Sequence, residues 1–402
     1  MHHKVHNMKK CHIAYLACTA ALLGTGLGAA PSAAHPTVHV VHPGESIQKA
    51  VDAAVPGDTV LLTRGTFRQS VDVSTPRLTL RGMGRHTVLQ PAAAPNTTPS
   101  TTAGTTAGAA KGPKDSTPKG PKGTKGPEAT KGSTGAKAAG SCAASGNGIC
   151  VVGTKGNNVG DVTIASLTVT GFTKNGVYAT DADGLTVRKV TAVKNGVWGI
   201  ATERSVHGVY RDNTARDNGD AGLFLANSVK EELGATDTEG TVVEHNRLEG
   251  NRIGVTVRRL RNLTVSDNHL TGNCAAVFVV GDENKPKAGF VTVRENLIER
   301  NNKSCPKTAR LDALQGSGIV LTGAEDSLVT QNVIKDNVGK SPLSGGIVLF
   351  KSFVGTTSDR NRISGNMLRG NSPADLVVTD TGGKGNSFTG NSCRSSKPAG
   401  LC

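Results

Sequence analysis

Aromatic residues make up only 3% of this 402-residue chain, with one tryptophan and three tyrosines. Proteins that grip single-stranded nucleic acid stack bases on aromatic side chains beside a basic patch. That composition is missing, so no nucleic-acid partner is expected. Methionine is scarce as well: beyond residue 34 only Met83 and Met367 remain, which leaves few soft ligands for Cu(I). No C-x-x-C pair occurs, which removes support for zinc-ribbon and thioredoxin-like readings. After residue 30 no apolar run is long enough to span a membrane.

The start of the chain reads as a secretory signal. Lys4, Lys9 and Lys10 precede an apolar run from about Ile13 to Ala30, and Ser32-Ala33-Ala34 suits cleavage before His35. Cys18 after Leu16-Ala17 raises a lipoprotein alternative, but too little apolar sequence precedes it. We therefore expect a signal peptide at 1–34 and a secreted, extracellular protein. Acidic residues are outnumbered, 31 to 46, for a net charge of +15. Removing the three leader lysines lowers this to +12. Such an excess attracts acidic partners, for example wall polyanions or uronate polysaccharides, and also favours solubility.

Six cysteines follow the leader: Cys142, Cys150, Cys274, Cys305, Cys393 and Cys402. An even set in an exported chain points to disulfides. The repeat register favours Cys142–Cys150, Cys274–Cys305 and Cys393–Cys402, because one coil spacing is within the Cα separation that a disulfide allows.

The strongest pattern is a pair of asparagines five residues apart with an apolar residue two after the first. It occurs as NRLEGN at 246, NHLTGN at 268, NLIERN at 296, NVIKDN at 332, NMLRGN at 366 and NSFTGN at 386, with a weaker NTARDN at 213. Short alternating strands flank most copies, such as LTVSDN before and GVTV or GIVL after. A unit of three short strands without a helix implies an all-β, right-handed single-stranded parallel β-helix, a solenoid of about ten coils. Val255 and Val257, Ile319 and Leu321, and Ile347 and Leu349 then stack inward at ~4.8 Å intervals. Asn246, Asn268, Asn296, Asn332, Asn366 and Asn386 are expected to form a structural ladder, each Asn adopting the left-handed conformation that a sharp corner needs.

Ser46–Ala54 reads as a short amphipathic capping helix with Ile47, Ala50, Val51 and Ala54 on one face. Residues 35–90 thus form the cap helix and first coil, and 142–402 the repeats. Between them, 91–141 is rich in Pro, Gly, Thr and Lys, with seven lysines against Asp115 and Glu128. It has almost no large apolar residue to order it, so a disordered insert is expected. Glycines at 120, 123, 126, 132 and 135 hint at a collagen period, but Ala129 and Ala138 break it.

The stretch HPGESIQKAVDAAVPGDTVLLTRGTFRQSV at 42–71, followed by LTLRG, resembles the opening of secreted right-handed β-helix proteins. Among them is the NosD-like family of periplasmic copper-binding proteins, within the pectate-lyase-like class. The N-x-L-x-G-N repeats resemble the same group. The resemblance implies the fold, and it admits lyases, hydrolases, epimerases, binding proteins and adhesins.

Three functions follow. The carbohydrate-active enzyme is expected to work on the outer face of one sheet, with clustered acids or a calcium-neutralised uronate. That face carries Tyr178, Phe224, Thr256, Phe278, Val320, Val348 and Val377, which is apolar and has no carboxylate. The N-T-D, D-D, G-H-G and R-I-K set of polygalacturonases and the D-P-H-E run of mannuronan epimerases are absent. Acids gather in nearby loops instead. Asp181, Asp183 and Glu203, with Arg204, His207 and Arg258, form the possible binding set, and loop acids could hold calcium. The copper function implied by the NosD-like resemblance would use His35, His39 and His42, the first through its amino group as well; the alternative is a strand with Val38 and Val40 inward and His39 facing water. The third function, which asks for the fewest unseen features, is a non-enzymatic binding or surface module for acidic polysaccharide or cell-wall polymer, expected as a monomer. Because the disulfides sit at ends and loops, reduction should loosen those segments before the central coils; uniform loss of hydrogen-exchange protection along the chain would contradict this.

Overall fold

The computed structural model describes residues 35–92, 141–309 and 311–402. The expected leader and nearly all of the expected insert lie outside the described residues. Pro36–Cys402 forms one compact unit. Its strands run parallel in three long sheets of 13, 10 and 11 strands, and along most of the solenoid each coil adds one strand to each sheet. The first sheet runs from Val38–Val41 to Ser387–Thr389, the second from Gly65–Arg68 to Met367–Arg369, and the third from Val71–Val73 to Ser396–Lys397.

The sequence rhythm follows from what each sheet faces. Strands of the first two sheets alternate, so one face is wet. Val243, Val265, Val293, Val329 and Ile363 stack inward in the first sheet, and Leu248, Leu270, Ile298, Ile334 and Leu368 in the second. Strands in the middle of the third sheet do not alternate. Ala221–Ala226 (AGLFLA) and Ser317–Thr322 (SGIVLT) are buried at every position. Near-continuous apolar runs are the mark of parallel strands covered on both faces, so chain must pack over the outside of this sheet.

At one end the helix Ile47–Ala53 closes the core. Ser46 caps it, its Oγ accepting from Lys49 N at 3.1 Å. Ile47 and Val51 are buried against the first coil. Gln48 completes the seal by pairing with an exposed strand edge: Asp72 N donates to its Oε1 at 2.7 Å, and its Nε2 donates to Asp72 O at 3.0 Å.

Two long asparagine ladders hold the corners. One runs Asn213, Asn246, Asn268, Asn296, Asn332, Asn366, Asn391. The other runs Asn195, Asn218, Asn251, Asn273, Asn301, Asn337, Asn371. In a typical rung, Asn268 donates both its backbone N–H and its Nδ2 to Asn296 Oδ1, each at 3.0 Å, while Nδ2 also reaches Val243 O at 2.9 Å. An asparagine in the middle of a ladder therefore links three coils.

Two expectations need correction. The ladder asparagines are not themselves left-handed. The residue before each one is: Asp212, His245, Asp267, Glu295, Gln331 and Asp336 have φ of 54° to 57°, and glycines take the same place at 250, 272, 365 and 370. The bend precedes the Asn so that its side chain turns inward. Second, Asn386 does not continue from Asn366. It pairs with Asn361, Nδ2 to Oδ1 at 3.0 Å, and Asn391 follows Asn366. The strand Ser387–Thr389 lies in the first sheet beside Arg362–Ser364, so NSFTGN matches NRISGN at 361–366.

The three disulfides of the described chain are Cys142–Cys150, Cys274–Cys305 and Cys393–Cys402. Replacing Asn296 by Ala would orphan the Asn268 N–H in the interior and should cost about 2–4 kcal/mol in denaturant unfolding. Asn386→Ala, at the half-exposed last coil, should cost less than half as much; equal losses would show that the ladder is not the source of stability.

Candidate functional site

The covered face of the third sheet holds the candidate site. Strand pairing aligns Tyr178, Ala201, Phe224, Thr256, Phe278, Val320, Val348 and Val377 as one outward row. Two excursions from the solenoid cover it. The segment 227–234 is held at its base, where Val229 N donates to Glu203 Oε2 at 2.8 Å and Arg258 NH1 donates to Ser228 O at 2.6 Å. Residues 303–309 and 311–315 form the second, in which Cys305 and Leu314 pair as an antiparallel bridge. It is anchored by the Cys274–Cys305 disulfide and by Arg252, whose NH1 and NH2 donate to Pro306 O and Asp312 O at 2.7 and 3.1 Å.

Between these walls lies a groove of about 760 Å³, floored by Phe224, Thr256 and Phe278 and flanked by Trp198, Ile253 and Leu311. A second trough of about 460 Å³ shares Val229, Arg258 and Phe278 with it and reaches Phe353 and Val354. Trp198 stacks on Phe224 with ring centroids 4.0 Å apart and an interplanar angle of 7°. Its indole N–H donates to Asp220 Oδ2 at 3.0 Å. Burial raises the Asp220 pKa above the ordinary carboxylate value, against the opposing effects of that bond and of Arg252. Arg252, Arg258 and Lys303 also line the groove, so its charge balance is positive.

Of the residues expected to bind, Arg258 lines the groove and Glu203 supports its wall while accepting from the Tyr178 hydroxyl at 3.0 Å. Burial, followed by Glu203, pushes the Tyr178 pKa up. The other four stand in ion pairs at coil edges. Arg204 binds Asp181 through two bonds, Nε to Oδ1 at 2.9 Å and NH2 to Oδ2 at 2.8 Å, which holds the Asp181 pKa low. His207 sits between Asp183 and Glu239 at 2.7 and 3.1 Å, its pKa raised chiefly by the Asp183 hydrogen bond. Loop acids elsewhere are similarly engaged: Asp282 with Arg259, and Glu325 and Asp326 with Arg360.

Among the described residues, three potential metal ligands come within reach of one another at Asp72, Cys142 and Cys150, where the two sulfurs are bonded together. His35, His39 and His42 form no such group. His39 Nε2 lies 2.8 Å from Asp58 Oδ2, and His42 Nδ1 lies 3.4 Å from Thr63 Oγ1. The expected strand orientation is also reversed: Val38 and Val40 are 56% and 50% exposed, and Val41 is buried. Pairing sets this register, because His39 and Val41 lie beside the inward Val60 and Leu62.

Sequence reading missed Asp220, Arg252 and the wall at 303–309 and 311–315. One signal was present: ladder spacing stretches from 22 residues between Asn246 and Asn268 to 36 between Asn296 and Asn332, which leaves room for an excursion.

A family model described as a right handed beta helix region matches residues 134–305. No curated protein matches the chain. Among solved structures, it superposes on tailspike protein gp49 from Acinetobacter baumannii bacteriophage Fri1, a capsular polysaccharide depolymerase, with a TM-score of 0.51 and 11% identity, covering 90% of this chain and 57% of that one. The A-module of mannuronan C-5 epimerase AlgE4 from Azotobacter vinelandii gives 0.50 at 17% identity, covering 86% and 90%. GH136 lacto-N-biosidase from Eubacterium ramulus gives 0.50 at 11%, covering 89% and 68%. At these identities the likeness is one of fold.

Asp58 offers a test of the cap. A hydrogen bond from His39, then the backbone N–H groups of Thr37 and Val55, lower its pKa to about 2. A depressed carboxylate stabilises the fold above its unfolded pKa, near 3.9, and that contribution fades as pH falls toward the folded value. Between about pH 4 and 2 the Thr37 and Val55 amides should lose hydrogen-exchange protection, and Asp58→Asn should remove this acid step; protection unchanged to pH 2 would refute the link.

Proposed function

Taking as premise that this chain is a right-handed parallel β-helix protein with the pectate-lyase-like fold, we propose that it is an extracellular binding module for an acidic polysaccharide. The groove over the third sheet carries this reading. Its half-buried flanks, Trp198, Val280 and Leu311, offer apolar surface to sugar rings, and Arg252, Arg258 and Lys303 outnumber Asp220, so carboxylate groups on a polymer meet net positive charge. Carbohydrate-acting proteins among the neighbours of the same fold add support for a glycan. Three disulfides support an oxidising compartment. Among the described residues, no helix is long and apolar enough to cross a membrane.

Binding without turnover fits the disposition of acids. Glycoside hydrolysis uses two carboxyl groups that flank the scissile bond, and the groove is lined by Asp220 alone of the acidic residues. One observation favours the alternative, a polysaccharide lyase, hydrolase or epimerase: the pKa of Asp220 is raised by burial, as a general acid requires.

The deciding experiment incubates the purified protein with a panel of uronate and wall polysaccharides, with and without calcium, and follows both binding and products. Retained binding without new chain ends, double bonds or changed sugar configuration supports the module. In that case Arg258→Gln with Lys303→Gln should weaken binding roughly tenfold at low salt. Product that disappears in Asp220→Asn would instead establish the enzyme.

A further inference from the structure

Away from the groove, charge is spread unevenly over the outside of the first and second sheets. In the middle coils cations there are matched: Arg211 lies 3.8 Å from Asp212, Arg216 3.0 Å from Asp217 and Arg247 3.1 Å from Glu249. The early coils break this pattern. Arg64 and Arg68 accompany the strands Thr59–Leu62 and Gly65–Arg68, and Arg81 and Arg85 accompany Thr79–Gly82 and Thr87–Gln90. Two coils further on, Arg188, Lys189 and Lys194 accompany Thr186–Arg188 and Thr191–Val193. Residues 59–68, 78–90, 162–170 and 184–194 contain no aspartate or glutamate. Arg188 is half-buried and the other six cations are exposed. Among the described residues, none of the seven forms an ion pair with a carboxylate. Residues 91–141 do not offset the charge, since they carry seven lysines against Asp115 and Glu128. Strand pairing makes the cluster costly: Arg81, Ala165, Arg188 and Arg211 form one outward row, with Arg188 directly opposite Arg211. Like charges placed so destabilise a sheet, which points to neutralisation from outside.

We infer that this basic face is a second binding surface, separate from the groove, for a strand of acidic polysaccharide, so that one protein joins two polymer chains. This rests on the polysaccharide reading above and extends it. Charge complementarity carries the choice of partner. Exposed cations without internal partners attract a polyanion, and each arginine can donate a pair of N–H groups to the two oxygens of a carboxylate. Arg81 and Arg188 stand two strand spacings apart, about 10 Å, so they meet separate carboxylates along a chain. The coil between them offers hydroxyls in place of charge, at the half-buried Thr163, Ser166 and Thr170. A nucleic-acid strand fits less well, because the one aromatic ring in these segments, Phe67, is buried and no base could stack on it. The groove lies over the third sheet, on a different side of the coils, so a chain held at either site leaves the other open.

The test loads the purified full chain onto immobilised polygalacturonate, washes it, and offers fluorescently labelled soluble polygalacturonate. The wild-type protein should capture the labelled polymer, and capture should fall as salt screens the charges. A variant with Arg81→Gln, Arg188→Gln and Lys189→Gln should still load through the groove but capture about fivefold less, having lost its second point of attachment. Its thermal stability should hold or rise, because the change relieves the repulsion between Arg188 and Arg211. Loading of the wild type without capture, or equal capture by the variant, would overturn the inference and leave the polysaccharide reading intact. Capture of duplex DNA or of anionic phospholipid vesicles, with none of the labelled polymer, would overturn it in the same way. Failure to load at all would overturn both.

Discussion

A chain wound into coils must turn sharply at each corner, and a corner places polar backbone beside an apolar core. Buried N–H groups there need acceptors that the strands cannot supply. The ladders answer this by having each Asn Oδ1 accept from the backbone and side chain of the preceding coil's Asn, as Asn296 does for Asn268. The strained residue before each Asn, for example Asp267 at φ 56° or Glu295 at the same angle, makes that arrangement reachable. Its cost, of order 1–2 kcal/mol for an ordinary side chain, is offset by bonds formed only in the bent conformation. The inward stacks of valine and leucine then share one register from coil to coil.

That constraint is why the solenoid was legible. Fixed separation of the asparagines reported the width of the second-sheet strand between two corners, and the apolar residue inside it reported the direction of the core. The cap helix was legible for the same reason, since Ile47 and Val51 face a surface that already exists. Register at the ends was not. VHVV alternates valine and histidine without saying which set is inward, and only pairing with Thr59–Leu62 decides. NSFTGN carries the motif but sits one sheet away from its look-alikes, because the corner motif occurs at more than one edge.

The groove was less legible than the fold. Its floor was visible as the row Phe224, Thr256, Phe278, and Arg258 was named beside it. Its walls come from segments outside the repeat, whose positions depend on single tertiary links such as Arg252 to Pro306 O and Cys274 to Cys305. Nothing in local spacing announces such links. Loop acids drew the eye because carboxylates are common in sites, yet Asp181 and Asp183 find Arg204 and His207 one coil away. Strictly repeated coils align neighbouring loops as well as strands, and opposite charges in them then neutralise one another.

The ladders also have a direction. In each rung the donors point toward the following coil and the acceptor belongs to that coil, so a coil is incomplete until its successor has formed. The second ladder stops at Asp375, whose carboxylate accepts from Asn371 Nδ2 at 2.9 Å and from Arg394 N at 2.9 Å and has no amide donor of its own to satisfy. A carboxylate is an acceptor without donors, so this series ends on a group that needs no acceptor, whereas the first ladder ends on Asn391, whose Nδ2 donates back to Ile363 O at 2.9 Å. During synthesis, then, the growing end carries unmet donors that only the next stretch of chain can quench, except at Asn371, whose amide meets Asp375 four residues on, before the following coil arrives to donate Arg394 N.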